Sequence, residues 1–187
     1  MPVSAVSIAN SALVKLGADR ISSLTQETRA AQLINAIYDQ VRDQVLRDHP
    51  WNFALTRVTL APNSTTPAFE YLYTYDLPSD CLKAYRTYPD TIDWVVEGRT
   101  ILCNEAEELN LQYVYRHEDE SSWSADFAEA FAWKLAAETA YALTQSSTKE
   151  AACAQGYVRA LAEARSMDGM EGTLRGLQAD TWLDARR

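Results

Sequence analysis

The chain has 187 residues, a mass of 21.0 kDa and a formal net charge of −9. Hydrophobic residues make up 47% and charged residues 23%, a balance that excludes disorder throughout and fits one domain, or one domain with a substantial insertion. The excess of 26 Asp+Glu over 17 Lys+Arg argues against a protein that grips nucleic acid through clustered cations, and no apolar run approaches the roughly 20 residues that span a bilayer.

The opening segment, Met1-Pro2-Val3-Ser4-Ala5, lacks the basic and apolar regions of a secretory signal, so synthesis and residence in a reducing cytoplasm are expected. Cys81, Cys103 and Cys153 are widely spaced and odd in number. They are expected as free thiols. Ala5, Ile8, Ala9, Ala12, Leu13 and Leu16 then recur as one apolar stripe, which predicts a first helix closed by Gly17. Ile21 and Leu24 follow in a short polar connection, where they are expected to plug the core edge.

A second helix is predicted from about Glu27 to Asp48. Ala30, Ile34, Ile37, Tyr38, Val41 and Val45 share one face, and Arg29, Asp39, Arg42, Asp43 and Arg47 occupy the rest. His49-Pro50 stops it, because the residue before proline is pushed out of the α region. The period then changes to two. Trp51, Phe53 and Leu55 alternate, as do Tyr71, Tyr73, Tyr75 and Leu77, and later Leu109, Leu111, Tyr113 and Tyr115. This predicts strands with one buried face. Glu97-Gly98 reads as a hairpin turn and residues 62–67 as a loop.

The helical period returns after an acidic link, His117 to Ser122. Ser124 is a cap for a third helix carrying Phe127, Phe131, Leu135, Ala142 and Leu143. Ser147 with Glu150 gives a capping-box signature for a fourth, with Ala151, Ala154, Val158, Leu161 and Ala162 on one face. From Gly169 the chain becomes glycine-rich with scattered apolar residues. The expected architecture is α+β: a four-helix bundle from residues 1–50 and 117–168, an inserted small antiparallel β-sheet at 51–116, and an extended C-terminal arm at 169–187.

Little here points to chemistry. His49 sits at a helix end, where a donor satisfies terminal carbonyls. His117 opens His-Glu-Asp-Glu, which has neither the spacing of a zinc site nor the glycine of a calcium loop. No phosphate-binding or nucleophile motif is present. The chain is therefore expected to be no enzyme and to need no metal or cofactor. Tyr71, Tyr73, Tyr75, Tyr113 and Tyr115 invite a sugar-binding or base-stacking platform, but no basic residues interleave them. A buried or interface face of the sheet is the better reading, with Tyr71, Tyr73, Tyr113 and Tyr115 as the subunit-interface candidates.

In order along the chain stand Ala12-Leu13-x-x-Leu16-Gly17, Ile21-x-Ser23-Leu24, then Ala31, Tyr38, Arg42 and Leu46, closing on Trp51-Asn52-Phe53-Ala54. Tyr75-x-Leu77-Pro78-x-Asp80-Cys81 and Trp94-x-Val96-x-Gly98-Arg99 follow, before the alanine-rich helices. This pattern resembles the tail tubular protein A family of podophages and related head-to-tail adaptor proteins. The resemblance reaches about residue 165, and Leu13 through Ala54 is its most specific part.

It implies a structural virion protein of the phage neck, made in the host cytoplasm. It also implies a dodecameric ring beneath the portal protein, with a tail or nozzle protein on the other face. Double-stranded DNA passes through such a ring during ejection without specific binding, and an acidic wall suits that passage. No membrane partner is implied. By the same resemblance the arm holds the portal, with Trp182, Leu183, Leu177 and Leu174 as its anchors. The readings from other classes are a carbohydrate-binding module of the tail or virion surface that uses the tyrosine-rich sheet, and a cell-wall hydrolase.

Overall fold

A computed structural model describes residues 3–105 and 107–171. The elements in order are α1 (Ala5–Leu16), α2 (Arg29–Asp48), β1 (Leu55–Leu60), β2 (Tyr73–Asp76), β3 (Cys81–Tyr88), β4 (Trp94–Glu97), β5 (Thr100–Cys103), β6 (Leu109–Tyr115), α3 (Ala125–Thr144) and α4 (Ser147–Met170). Local chemistry sets most boundaries. Ser4 and Ser7 cap α1 reciprocally, and Gly17 closes it at φ 69°, a left-handed conformation that only glycine adopts without cost. Thr28 caps α2, and His49 ends it in extended backbone. Gly98, at φ 59°, is the first of two residues between the paired Glu97 and Thr100, so the β4–β5 hairpin has the tight loop its sequence predicts.

The α+β class stands, but a four-helix bundle carrying one inserted sheet does not describe the molecule. Two three-stranded antiparallel sheets are present among the described residues, ordered β1-β6-β3 and β2-β5-β4. Tyr75, Ile101 and Cys103 of the second pack against Leu109, Leu111 and Tyr113 of the first, making a β core of their own. Val114, on the opposite face of β6, belongs instead to the helical core, together with Leu82, Trp51 and Ala54. The β1-β6-β3 sheet is thus a middle layer, and β6 is buried on both faces along much of its length. On the helical side α3 is the hub against which α1, α2 and α4 pack. The bundle expectation failed because periodicity reveals that a strand has an apolar face but not which layer will cover the other.

Three local expectations also need correction. Trp51 and Phe53 do not begin a strand. Asn52–Ala54 forms a 3-10 turn, and β1 starts at Leu55. The α4 cap is Ser146, whose side chain accepts from Lys149 N–H, in place of Ser147. The buried face of α4 consists of Cys153, Gly156, Ala160, Leu161, Ala164 and Asp168, whereas Val158 is exposed and Ala151, Ala154 and Ala162 face outward. Close approach selects small residues here over the most hydrophobic ones. A Cβ at position 156 would lie 2.5 Å from Trp133 Cε3, inside any real contact distance. Gly156→Val is expected to destabilise the protein by about 1–3 kcal/mol through overpacking, read by urea denaturation. Trp133→Ala in the same background should recover part of the loss, and no recovery would show that the ring is not the obstacle.

Arg42, assigned to the polar face of α2, is buried. Its guanidinium meets Asp39 at 3.0 Å, Asp43 at 3.1 Å and Glu118 at 3.5 Å. Arg116 also reaches Asp43, at 2.9 Å. The acidic link after β6 is therefore pinned to α2 by arginines.

Candidate functional site

The segment Trp51-Asn52-Phe53-Ala54 forms the joint between helices and sheets. The Trp51 indole is fully buried, donates to the Val45 carbonyl at 3.0 Å, and meets Phe127 edge-on at 5.0 Å between centroids. Asp168 in the last turns of α4 locks this joint from the other side. One carboxylate oxygen accepts the Asn52 backbone N–H at 3.0 Å, and the other lies 3.0 Å from His49 Nε2. Asn52 Nδ2 donates to the Asp168 carbonyl at 2.7 Å. Arg165 donates to the Asp48 carbonyl at 2.9 Å, and the Tyr157 hydroxyl to the Asp48 carboxylate at 2.7 Å. The side chains of Asp48, His49, Asn52, Tyr157, Arg165 and Asp168 thus tie the second half of α4 to the end of α2 and the turn after it. In sequence His49 reads as a helix-end donor and Asn52 as part of a landmark, with no sign of their shared partner Asp168. That partner lies 119 residues from His49, and nothing local signals the pair.

The tyrosines are divided by the sheet layers. Tyr113 is buried in the β core, and its hydroxyl donates to Asp80 Oδ1 at 3.2 Å. Burial, and then the Asp80 carboxylate, push its pKa up to about 12. Tyr75 is fully buried, with its hydroxyl donating to the carbonyls of Glu105 and Glu107 at 2.6 and 2.8 Å. Tyr73 and Tyr115 are half-buried against the same core, and Tyr71 precedes β2 at the surface edge. They do not share one open platform. Residues 174, 177, 182 and 183, the arm anchors Leu174, Leu177, Trp182 and Leu183, lie outside the described residues.

Cys81, Cys103 and Cys153 are buried free thiols, and desolvation raises the pKa of each, which disfavours the nucleophilic thiolate. Among the described residues no group of three or more His, Cys, Asp and Glu is arranged to hold a metal ion, and no helix is long and apolar enough to cross a membrane. His117 lies against Tyr115 at 5.0 Å and Phe53 at 5.6 Å between ring centroids. Desolvation lowers its pKa from the ordinary 6.5, against the opposing pull of Asp119 and Glu120. The unfolded chain therefore takes up this proton first as pH falls. The stability held by the neutral ring is complete above about pH 6.5 and is lost as pH drops through the lower folded value. His117→Gln should show a shallower loss of stability than the parent below pH 6.5 in denaturant titrations, and an equal slope would contradict this.

Two surface features carried no signal in the sequence. One is a groove of about 580 Å³ along the middle sheet, lined by Arg57, Arg86, Tyr88, Asn110 and Gln112 among others. The other is the exposed pair Phe69 and Leu72 at the end of the loop between β1 and β2. No protein-family model matches the chain, and no curated protein matches it.

Proposed function

We propose that this chain is a structural subunit of a phage head-to-tail adaptor: copies form a ring under the portal protein, join it to a tail or nozzle protein, and leave a channel for DNA. The observation that carries the reading is where the exposed large apolar residues lie. Phe69, Leu72, Tyr85, Tyr88 and Val96 lie on the β layers and the loop between β1 and β2, and Val14, Tyr141, Val158, Met167 and Met170 on α1, α3 and α4. A ring built head to tail needs two different, mutually complementary faces on every subunit, and a neck protein needs further surface for its axial partners. The order of landmarks from Leu13 to Ala54 supports the same reading. Many of them (Leu13, Leu16, Ile21, Ala31, Tyr38, Leu46, Trp51 and Ala54) fall in the helical core.

In this reading the α3-centred helices and the middle sheet form the rigid wedge. Net charge of −9 keeps the channel wall from holding the DNA backbone. Gly169 and Met170, expected as the start of the arm, belong to α4, and residues 172–187 supply the portal contact, with Trp182, Leu183, Leu177 and Leu174 as anchors of the kind that dominate interfaces. The test is light scattering with negative-stain imaging, alone and with the portal protein encoded by the same genome. Twelve copies of a 21.0 kDa chain give annular particles of about 250 kDa in a closed cyclic ring. A chain that stays monomeric and unbound in both samples would overturn the proposal. Removal of 172–187 is expected to leave the fold intact and abolish portal capture. Undiminished capture would take the anchors out of the mechanism.

A further inference from the structure

The groove and the exposed loop are complementary, and they lie on opposite sides of the β layers. Strand register sets Arg57 and Arg86 on either side of Gln112, and Thr59 and Tyr88 on either side of Asn110. Arg86 Nε donates to Gln112 Oε1 at 2.5 Å, and Thr59 Oγ1 to Asn110 Oδ1 at 2.8 Å. Two guanidiniums thus flank an amide floor, with the ring of Tyr88 70% exposed beside them. Asp90 also lines the groove. In a chain with a net charge of −9, such a concentration of arginine on one open sheet face is a place for a carboxylate, which guanidinium matches in shape as well as charge.

The loop offers the converse. Phe69 is 80% and Leu72 60% exposed, and between them Glu70 holds φ 71°. That left-handed conformation is uncommon outside glycine, and its cost is met most often at functional positions. Leu72 N–H donates to Asn104 Oδ1 at 3.0 Å, and Asn63 N–H to the Thr74 carbonyl at 2.7 Å, so the loop is fastened to the outer sheet. Desolvation, and then the charges of Asp93, Glu70 and Glu97, raise the pKa of Tyr71.

Parity along β6 separates the two features. Leu109, Leu111 and Tyr113 point at the outer sheet, so Asn110 and Gln112, which floor the groove, point away from it. The loop travels with the outer sheet. A groove on one side and a knob on the other meet only between molecules.

We propose that the groove receives the Phe69–Leu72 loop of a second copy of this chain, with Glu70 set between Arg57 and Arg86 and an apolar side chain laid against Tyr88. The contact is heterologous, knob to groove, and repeats around a closed ring. It rests on the adaptor reading and names the lateral joint within it.

The experiment is sedimentation equilibrium of the full chain up to millimolar concentration, at low and high salt. Two charge-reversed variants accompany it: Arg57→Glu with Arg86→Glu, and Glu70→Arg with Glu97→Arg. The wild type should self-associate, more weakly at high salt, and each variant alone should associate at least tenfold more weakly. An equimolar mixture of the two should regain association, because every contact in an alternating ring again pairs opposite charges. The single exposed change Arg57→Glu should weaken association in the same direction, and it leaves the Arg86–Gln112 bond in place. Absence of self-association in the wild type, full association of either variant, or no recovery on mixing would each overturn the joint. Wild-type rings together with fully assembling variants would overturn the joint and leave the adaptor reading standing. That reading falls instead if no ring forms with the portal.

Discussion

Trp51→Ala is expected to be the most damaging single change in the molecule, lowering the unfolding free energy by about 3–5 kcal/mol, the range for truncating a buried tryptophan. The side chain is fully buried and central to an aromatic cluster. Its ring meets His49 at 4.8 Å, Phe127 at 5.0 Å and Phe53 at 6.3 Å between centroids. Truncation opens a cavity where α2 passes into the 3-10 turn, and it also removes the indole donor from the Val45 carbonyl. For a chain of this size each kcal/mol moves the melting temperature by roughly 2–4 °C, so calorimetry reads the effect easily. Trp51→Phe keeps much of the volume and loses the donor, and it should fall between the two. Equal melting temperatures for Trp51→Ala and the parent would mean that the joint does not hold the helical core to the sheets.

The joint also marks how far the sequence could be read. Trp51 was visible as an aromatic residue after a helix stop, and its burial follows from size and hydrophobicity. Its place at the head of a 3-10 turn was not visible, because the alternation of Trp51, Phe53 and Leu55 is also what a strand would give. The C-terminal ends of α1 and α2 were legible from Leu16 and Gly17 and from the His49-Pro50 stop, since breakers act locally, whereas α2 starts at Arg29 behind its Thr28 cap and not at Glu27. The face of α4 was not, because Gly156, Ala160 and Ala164 are selected by the closeness of α3, and Val158 outranks them on any hydrophobicity scale while pointing to solvent.

The same limit applied to the sheets and to the site. Several strands could be found from their own period, although Cys81–Tyr88 was not among them, and the pairing of β1 with β6 and of β2 with β5 is long-range, so two sheets were read as one. Arg57 and Arg86 come from strands that both flank β6. They form a row only once that pairing exists. A stripe of tyrosines drew attention to the inner face, whereas the polar residues between them, Asn110 and Gln112, floor the open one.

Asp168→Ala is expected to release the end of α4 from the rest of the protein. The Asp168 side chain is only 8% exposed, and it satisfies the Asn52 backbone N–H on one oxygen and contacts His49 on the other. Removing it hands the N–H of the exposed Asn52 to water and takes away hydrogen bonds to a charged acceptor, a loss of about 1.5–3 kcal/mol. Asp168→Asn retains an oxygen that can accept from Asn52 and should cost less than the alanine variant. The readout that separates local from global loss is amide hydrogen exchange. In Asp168→Ala the amides of residues 165–170 should exchange fastest relative to the parent, while those of α3, held by Phe127, Phe131 and Leu135 in the core, should change only by the shared loss of global stability. If residues 172–187 bind the portal as proposed, they follow directly from this turn, so a freed α4 end should also weaken portal capture without abolishing it, since the proposed anchors remain. Unchanged exchange at 165–170 would show that Arg165 and Tyr157, through Asp48, hold the helix end without the carboxylate. Unchanged capture with faster exchange would show that the portal contact does not depend on how its root is held.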